Sequence, residues 1–216
     1  NPPAEAEKVA YGFFKGLADA KIPCVVIAGN HDSPIRLDGI APILALAGTQ
    51  VRGRPRRADA GGLVEVATNS GVLRVGALPF ASERKLLTAE ELWTLDDVAQ
   101  RQEYRQMLAM LMRNLEGGFG ETTVNVLAAH VAMDTARLSH SEAPFYTRDS
   151  YSLAEATLPS SAQYIALGHI HARQRIQAAA PTCYSGSLIQ LDFGEAEEAK
   201  GYQLVTLEPG RPAQVE

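Results

Sequence analysis

Residues 24–32 read CVVIAGNHD, an apolar run that is followed at once by polar side chains. Its first five residues are all apolar and three of them are β-branched, as a strand buried on both faces of a sheet requires. Gly29 ends the run, and Asn30, His31 and Asp32 follow it. In open α/β sheets, ligands bind in the crevice beyond the carboxyl ends of the strands. The polar group therefore marks a candidate site.

The segments around this strand predict helices first and mainly strands later. Residues 4–20 carry apolar side chains at three- and four-residue spacings, the pattern of an amphipathic helix, and residues 35–47 and 89–116 predict two more helices. Residues 53–62 and most of 135–162 predict loop, with a short helix near 153–157. The further predicted strands are 63–67, 72–78, 124–129, 164–167, 173–177, 182–185 and 202–207. This order predicts an α/β fold in which two packed mixed β-sheets are flanked by helices.

Composition indicates one globular domain. The chain has 216 residues, of which 46% are hydrophobic and 21% are charged, and these values argue against disorder and against a coiled-coil rod. It lacks an apolar run long enough to span a bilayer and a basic-then-apolar leader, so we expect a cytoplasmic protein. Cys24 and Cys183 lie far apart, without metal-binding spacing, and predict core thiols.

The net charge of −5 argues against DNA binding through a general positive field. DNA contacts must then be local or mediated by metal ions. One candidate is the arginine cluster at 52–57, for which a solvated surface loop is the favoured interpretation. The other is Arg173 with Arg175, which follow a pair of histidines.

Three motifs each come directly after a predicted strand: Gly29-Asn30-His31-Asp32, Ala129-His130 and Gly168-His169-Ile170-His171. They contain four of the five histidines, and the fifth, His140, lies in a polar loop. A single strand-end histidine is more often structural, but four together favour a metal site. In an extended chain, residues i and i+2 point the same way about 7 Å apart, so the last two histidines could each reach one of two metal ions. We expect Gly168 to let the backbone approach these ions, and an imidazole–amide donor set favours Mn or Fe.

These motifs, in this order, resemble the last three signature motifs of the calcineurin-like metallophosphoesterases. The stretch 26–37 and the sequence Tyr184-Ser185-Gly186-Ser187 narrow the resemblance to SbcD-type nuclease subunits. The resemblance covers nearly the whole chain and implies a four-layer α/β/β/α fold. It also implies hydrolysis of DNA phosphodiesters at double-strand breaks and hairpin ends. Two divalent metal ions would act as cofactors, most favourably Mn²⁺, with Fe or Mg as alternatives.

The resemblance also implies a role for each site residue. Asn30, His130 and His169 would bind one metal ion, and His171 would bind the other. His31 would stabilise charge on the scissile phosphate or protonate the leaving oxygen, and Asp32 would orient His31 or its loop. Two further residues are predicted to bind the substrate. They are Arg173, which follows the motif 168–171, and Ser185, which belongs to the stretch 184–187.

The implied partners are an SbcC-type SMC-like ATPase, DNA and a second copy of the chain, which would pack through residues 4–20 and 35–47. Ordinary core packing is the alternative for Phe13, Phe14 and Leu17. Two other functions stay open: a phosphoesterase acting on phosphoproteins or small nucleotides, and a non-catalytic scaffold for the ATPase and DNA. The absence of a GxSxG sequence argues against a serine hydrolase at Ser185 or Ser187.

Members of this family begin with Asp-x-His and Gly-Asp motifs, and neither precedes residue 1 here. We therefore expect residues 1–216 to be a nuclease domain without its first strands and metal motifs, and without a capping domain. Counting the remaining ligands, we expect this chain alone to form no two-metal centre. Asp32, Asp134 and Asp192 are the alternative ligands if it does.

Overall fold

The fold is built on a large mixed sheet. The computed structural model describes residues 2–82, 86, 94–139, 141 and 152–216. The α-helices whose bounds are described are α1 (Ala4–Asp19), α2 (Pro34–Leu46) and α3 (Asp97–Glu116). The strands are β1 (Cys24–Ile27), β2 (Thr49–Arg52), β3 (Leu63–Thr68), β4 (Gly71–Leu78), β5 (Val124–His130), β6 (Ala132–Met133), β7 (Ser152–Leu153), β8 (Tyr164–Gly168), β9 (Gln174–Ile176), β10 (Thr182–Tyr184), β11 (Val205–Thr206) and β12 (Gln214–Val215).

Four parallel strands form the centre of the large sheet, whose order is β3-β4-β5-β8-β10-β9. Strands β4, β5, β8 and β10 are parallel, and β3 and β9 are antiparallel edge strands. Parallel strands end at the same edge of a sheet, so the residues that follow them come together. Accordingly, His130 at the end of β5 pairs with Gly168 at the end of β8.

Helix α3 packs one apolar face into the main core. Its first turn is capped by the carboxylate of Asp96, which accepts hydrogen bonds from the backbone N–H groups of Val98 and Ala99. Leu108, Met112 and Leu115 recur at three- and four-residue spacings on one side, which favours a helix with a single buried stripe. The core cluster that contains these three residues also includes Leu127, Ile165 and Tyr184.

The strand that precedes the first motif belongs to a small sheet of its own. Strands β1 and β2 are parallel, and the Ala28 N–H continues the pairing by donating to the Arg52 carbonyl oxygen at 3.0 Å. The Ala28 carbonyl oxygen in turn accepts from the Phe80 N–H at 2.9 Å, so the end of β1 lies beside the end of β4. All four residues of β1 are only partly buried. The expectation of a strand buried on both faces is wrong for the described residues, among which β2 is the only strand that pairs with β1.

The predicted α/β class is confirmed, because a six-stranded mixed sheet, smaller sheets and flanking helices are compatible with a metallophosphoesterase fold. No strand is predicted at the position of β2. Its four residues are few and lie directly before the arginine-rich segment, for which a loop is predicted. Helix α3 begins at Asp97, where Asp96 supplies a cap, and the predicted helical start near residue 89 cannot be compared with it. Residues 89–93 lie outside the described part of the chain.

Helix α1 lies where it is predicted, but its side chains are not buried in a core. None of its residues is buried, and Val9 and Phe13 are 74% and 62% exposed. Core packing is therefore the wrong interpretation for Phe13, while Phe14 and Leu17 are partly buried. No helix within the described ranges is long and apolar enough to cross a membrane.

Candidate metal centre

The three motifs meet at one edge of the two sheets. Strand β1 delivers residues 29–32, β5 delivers His130, and β8 delivers residues 168–171. The backbone bond between Phe80 and Ala28 joins the small sheet to this edge, and the pairing of His130 with Gly168 aligns the other two strand ends. The sequence predicts this common placement, since each motif follows a strand.

Asn30, His130 and His169 are in direct contact. The amide oxygen Oδ1 of Asn30 lies 2.9 Å from Nε2 of His130 and 3.3 Å from Nδ1 of His169. The two imidazole rings have centroids 5.2 Å apart and are inclined at 71°. One oxygen and two ring nitrogens thus converge on a small volume. Two imidazoles and an amide oxygen form a donor set that fits a divalent transition-metal ion.

Two glycines make room for the ring of His130. A Cβ atom at Gly29 would lie 2.8 Å from Cε1 of His130, and one at Gly168 would lie 3.0 Å from its Nδ1. Any larger residue at either position would push the imidazole out of place. The approach of the backbone to metal ions at Gly168 stays a prediction, and the neighbour seen here is the ring of His130. Gly29 has the same role, which the sequence does not indicate.

His169 is held in a backbone conformation that L-residues rarely adopt, with φ of 108°. Such a conformation costs on the order of 1–3 kcal/mol and persists only where surrounding contacts impose it. One such neighbour is Phe80. The centroid of its ring lies 6.2 Å from that of His169, and the two rings are inclined at 17°. Phe80 also meets His130 edge-on at 6.1 Å. The strain and the aromatic support both argue that the position of this imidazole is functionally important.

His130 has a strongly perturbed pKa. Burial, with a smaller contribution from the neighbouring charge on His169, lowers the pKa of His130 to about 3. Its ring is therefore neutral at physiological pH and keeps a lone pair for a metal ion. A lowered histidine pKa at a strand end is typical of a site rather than of a solvated surface residue.

His31 and Asp32 take different positions around this cluster. The Oδ2 atom of Asp32 accepts a hydrogen bond from the Gly29 N–H at 2.7 Å, which closes the turn after β1. His31 is exposed and lines a surface groove of about 580 Å³ together with Tyr11, Phe14 and Arg36. Asp32 thus fixes the turn and the imidazole of His31 faces solvent, and the roles that the resemblance implies for them stay predictions.

His171 does not join the three-residue contact through its Nδ1 atom. That atom lies 2.5 Å from the hydroxyl oxygen of Ser141, whose hydroxyl group donates to the carboxylate of Glu195. His171 is nevertheless near enough to contribute to the lowered pKa of His130. The sequence does not indicate Phe80, Ser141 or Glu195, because none of them belongs to a recognisable motif.

The predicted substrate-binding residues lie beside the histidines. Arg173 is exposed two positions after His171, and its backbone N would be 3.0 Å from a Cβ atom at Gly186. Ser185 is partly buried directly after β10. The stretches 168–173 and 184–187 therefore pack against each other. We call these two stretches together the rim of the site.

The arginines at 52–57 form ion pairs and hydrogen bonds with other residues of the chain. Arg54 and Arg56 pair with Asp38 at 3.2 and 3.7 Å, and Arg57 pairs with Asp59 at 3.2 Å. Nε of Arg52 donates to the Gly61 carbonyl oxygen. Because acidic side chains and carbonyl groups already meet this positive charge, the segment has the character of a surface loop.

The alternative carboxylate ligands have local partners as well. Asp134 accepts from the Ser152 hydroxyl, and Asp192 accepts from the Gly194 N–H at 2.7 Å. His140 lies outside the described residues. Over the part of the chain that the structure describes, no three His, Cys, Asp or Glu side chains group around a metal position. The converging donors are two histidines and the amide of Asn30.

Comparison with known proteins finds relatives over nearly the whole chain. No family model matches the chain. It is 34% identical over 215 residues to the SbcD subunit of nuclease SbcCD from Bacillus subtilis, an alignment that covers 99% of the chain and 54% of the relative. It is 28% identical over 192 residues to the SbcD subunit of nuclease SbcCD from Staphylococcus epidermidis, covering 88% of the chain and 47% of the relative. The chain thus spans about half the length of these curated relatives. The similarity along 99% of its length relates this chain to the SbcD-type nuclease subunits.

Proposed function

We propose that this chain is part of a metal-dependent DNA nuclease subunit of an SbcCD-type complex, which hydrolyses phosphodiester bonds at double-strand breaks and hairpin ends. The observation that carries the proposal is the convergence of Asn30, His130 and His169 at the strand ends. Both relatives are named as subunits of a nuclease, which supports the nuclease part of the proposal. A mixed set of imidazole and amide donors fits a catalytic metal site better than it fits a closed structural zinc site.

In this proposal, Asn30, His130 and His169 would hold one divalent ion, and His171 would hold a second. Mn²⁺ is the favoured ion, with Fe or Mg as alternatives. When bound, two such ions stabilise the negative charge of a phosphodiester and activate water as the nucleophile. Asp32 fixes the turn after β1 by accepting the Gly29 N–H. His31 then extends from that turn, where it can donate a proton to the leaving oxygen.

The groups that would contact DNA are few. Arg173 projects from the rim beside His171 and is exposed, so it can meet a phosphate of the substrate, and Ser185 on the facing stretch can donate a hydrogen bond. The arginines at 54, 56 and 57 already pair with acidic side chains. With a net charge of −5, DNA binding should rely on the metal centre, this rim and a partner protein.

The proposed partners are an SbcC-type SMC-like ATPase and a second copy of this protein. The relatives carry the name of an SbcCD complex, which supports the first. For the second, α1 and α2 present large exposed apolar side chains: Val9, Phe13, Ile35 and Ile43 are 62–74% exposed. Such side chains on neighbouring helices favour a protein interface. A full-length protein that sediments only as a monomer would contradict the homodimer.

A comparison of substrates tests the function. With the full-length protein and Mn²⁺, we expect release of nucleotides from the ends of duplex DNA to be much faster than hydrolysis of an aryl phosphate. The control is the His31→Ala protein, which should be weak on both substrates. Hydrolysis of the aryl phosphate alone would favour a general phosphoesterase, and activity on neither substrate would favour a non-catalytic scaffold.

A further inference from the structure

A buried ion pair lies behind His171. The side chain of Glu195 is fully buried, and that of Lys200 is only 8% exposed. The Nζ atom of Lys200 lies 2.9 Å from Oε2 of Glu195, which also accepts a hydrogen bond from the Leu191 N–H at 3.0 Å. Glu195 ends a short 3-10 helix, Phe193–Glu195, that follows β10. Neither residue belongs to the motifs that define the proposed metal centre.

The carboxylate of Glu195 reaches the imidazole of His171 through one hydroxyl group. Ser141 donates its hydroxyl proton to Oε1 of Glu195, and its oxygen lies 2.5 Å from Nδ1 of His171. Because that proton is already used, the serine oxygen can only accept from the imidazole. The hydrogen-bond network therefore places the proton on Nδ1 of His171. The lone pair of this tautomer is on Nε2.

Lys200 holds the backbone of the same histidine. Its Nζ atom donates to the carbonyl oxygen of His171 at 3.2 Å and to Glu198 at 2.8 Å. The Ser187 N–H donates to the same carbonyl oxygen at 3.1 Å. Gly186 makes this contact possible, since its φ is 81° and a Cβ atom there would lie 2.6 Å from that oxygen. One lysine thus joins the backbone of His171 to the acid that orients its ring.

The cost of burying these charges argues for a specific role. A buried ion pair is often no more stabilising than apolar residues of similar volume, whereas removal of one partner leaves an uncompensated charge. The surroundings are not a deep core, because Leu191 and Phe193 are 56% and 99% exposed. The pair is instead connected to both the backbone and the ring of His171. Histidine ligands of metal ions characteristically donate their second ring N–H to such a partner.

We propose that Glu195 and Lys200 are positioning residues for His171. Glu195, acting through Ser141, keeps the proton of His171 on Nδ1 and fixes the plane of the ring, while Lys200 fixes the backbone. The lone pair of the imidazole is then on Nε2, the atom that would bind the metal ion. The benefit to metal binding rests on the proposed function, whereas the fixed tautomer does not.

The tautomer is measured first, by nitrogen NMR of the metal-free, full-length protein with isotope-labelled histidine. His171→Gln identifies the signals of His171 by their loss. We expect the parent protein to carry the proton on Nδ1, and Ser141→Ala and Glu195→Gln to show a mixture of tautomers with the other histidine signals unchanged. Glu197→Gln is the matched control, since it removes the same charge at an exposed position two residues away and should leave His171 as in the parent.

Binding of Mn²⁺ by calorimetry is the second measurement. Ser141→Ala, Glu195→Gln and Lys200→Met should each weaken Mn²⁺ binding by about 10- to 100-fold, the usual effect of losing an outer partner of a ligand, and Glu197→Gln should bind as the parent does. Ser141→Ala leaves the ion pair intact, so it tests the idea even where the other two variants fold poorly.

Two results would overturn the positioning role: a parent protein without the proton on Nδ1, or a tautomer of His171 that is unchanged in both Ser141→Ala and Glu195→Gln. A third result would contradict the proposed function but not the positioning role. If the tautomer responds as expected but the parent binds no Mn²⁺, the positioning role stands and the metal centre does not.

Discussion

At the scale of single residues, His31 and His169 should have separable effects. His31 faces the groove, and His169 touches Asn30 and Phe80. In the full-length protein, we expect His31→Ala to abolish most turnover and leave Mn²⁺ binding largely intact. His169→Ala should lose Mn²⁺ binding as well, because it removes a donor. Calorimetric titration of both variants checks this, and equal Mn²⁺ affinity in the two would refute the assigned roles.

Gly29 offers a test of how tightly His130 is held. In Gly29→Ala the new methyl group would meet the ring of His130 at 2.8 Å. We expect a loss of about 1–3 kcal/mol in the free energy of unfolding, typical of overpacking, together with weaker Mn²⁺ binding. The control is Gly16→Ala within α1, where no atom outside the adjoining turns of the helix backbone lies within 4 Å of the added group. That change should stabilise the protein by about 0.5–1 kcal/mol. Urea denaturation measures both, and unchanged stability in Gly29→Ala would contradict the packing argument.

At the scale of elements, α3 should contribute more to stability through its buried side than through its solvent-facing side. Leu115 is fully buried in the core, whereas Met110 is 49% exposed. Leu115→Ala should lower the free energy of unfolding by about 2–5 kcal/mol, the range for a large-to-small change in a core. Met110→Ala should change it by less than about 0.5 kcal/mol. Similar losses in the two variants would show that this face of α3 is not the one that supports the sheet.

The sequence predicts elements well where their pattern is local. The stripe of α3, the hairpin of β3 and β4 and the strands before each motif follow from spacing and turn residues. Strand β2 escapes prediction, because its pairing with β1 brings together segments 25 residues apart and leaves little periodicity in four residues. For the site, the motif residues can be predicted, but Phe80 and Glu195 cannot. Their role depends on tertiary contacts with His169 and Ser141, which no spacing in the chain encodes.

At the scale of the whole molecule, the charge of the ligands limits what this chain can bind by itself. Within the described ranges, the donors that converge are the neutral Asn30, His130 and His169, and Oδ2 of the nearby Asp32 accepts the Gly29 N–H. Two divalent ions about 3.5–4 Å apart repel strongly unless carboxylates offset their charge. We therefore expect the 216-residue chain to bind at most one divalent ion, weakly, and to show no two-metal cleavage of DNA. Calorimetry and a nuclease assay with Mn²⁺ check this. Two bound ions with robust cleavage would mean that other side chains, with Asp134 and Asp192 the first to test, complete the site.

The contact between Asn30 and the two histidines has a further consequence for folding. Asn30 is separated by 100 residues from His130 and by 139 from His169. Contacts over such distances form late, since the entropy of closing long loops must be offset by strands already in place. An ion held by all three side chains would act as a reversible cross-link between distant parts of the chain, and would raise the midpoint of thermal unfolding with its concentration. Binding of a metal ion by these three side chains would therefore require the assembled sheet, and could be used to detect the completion of folding.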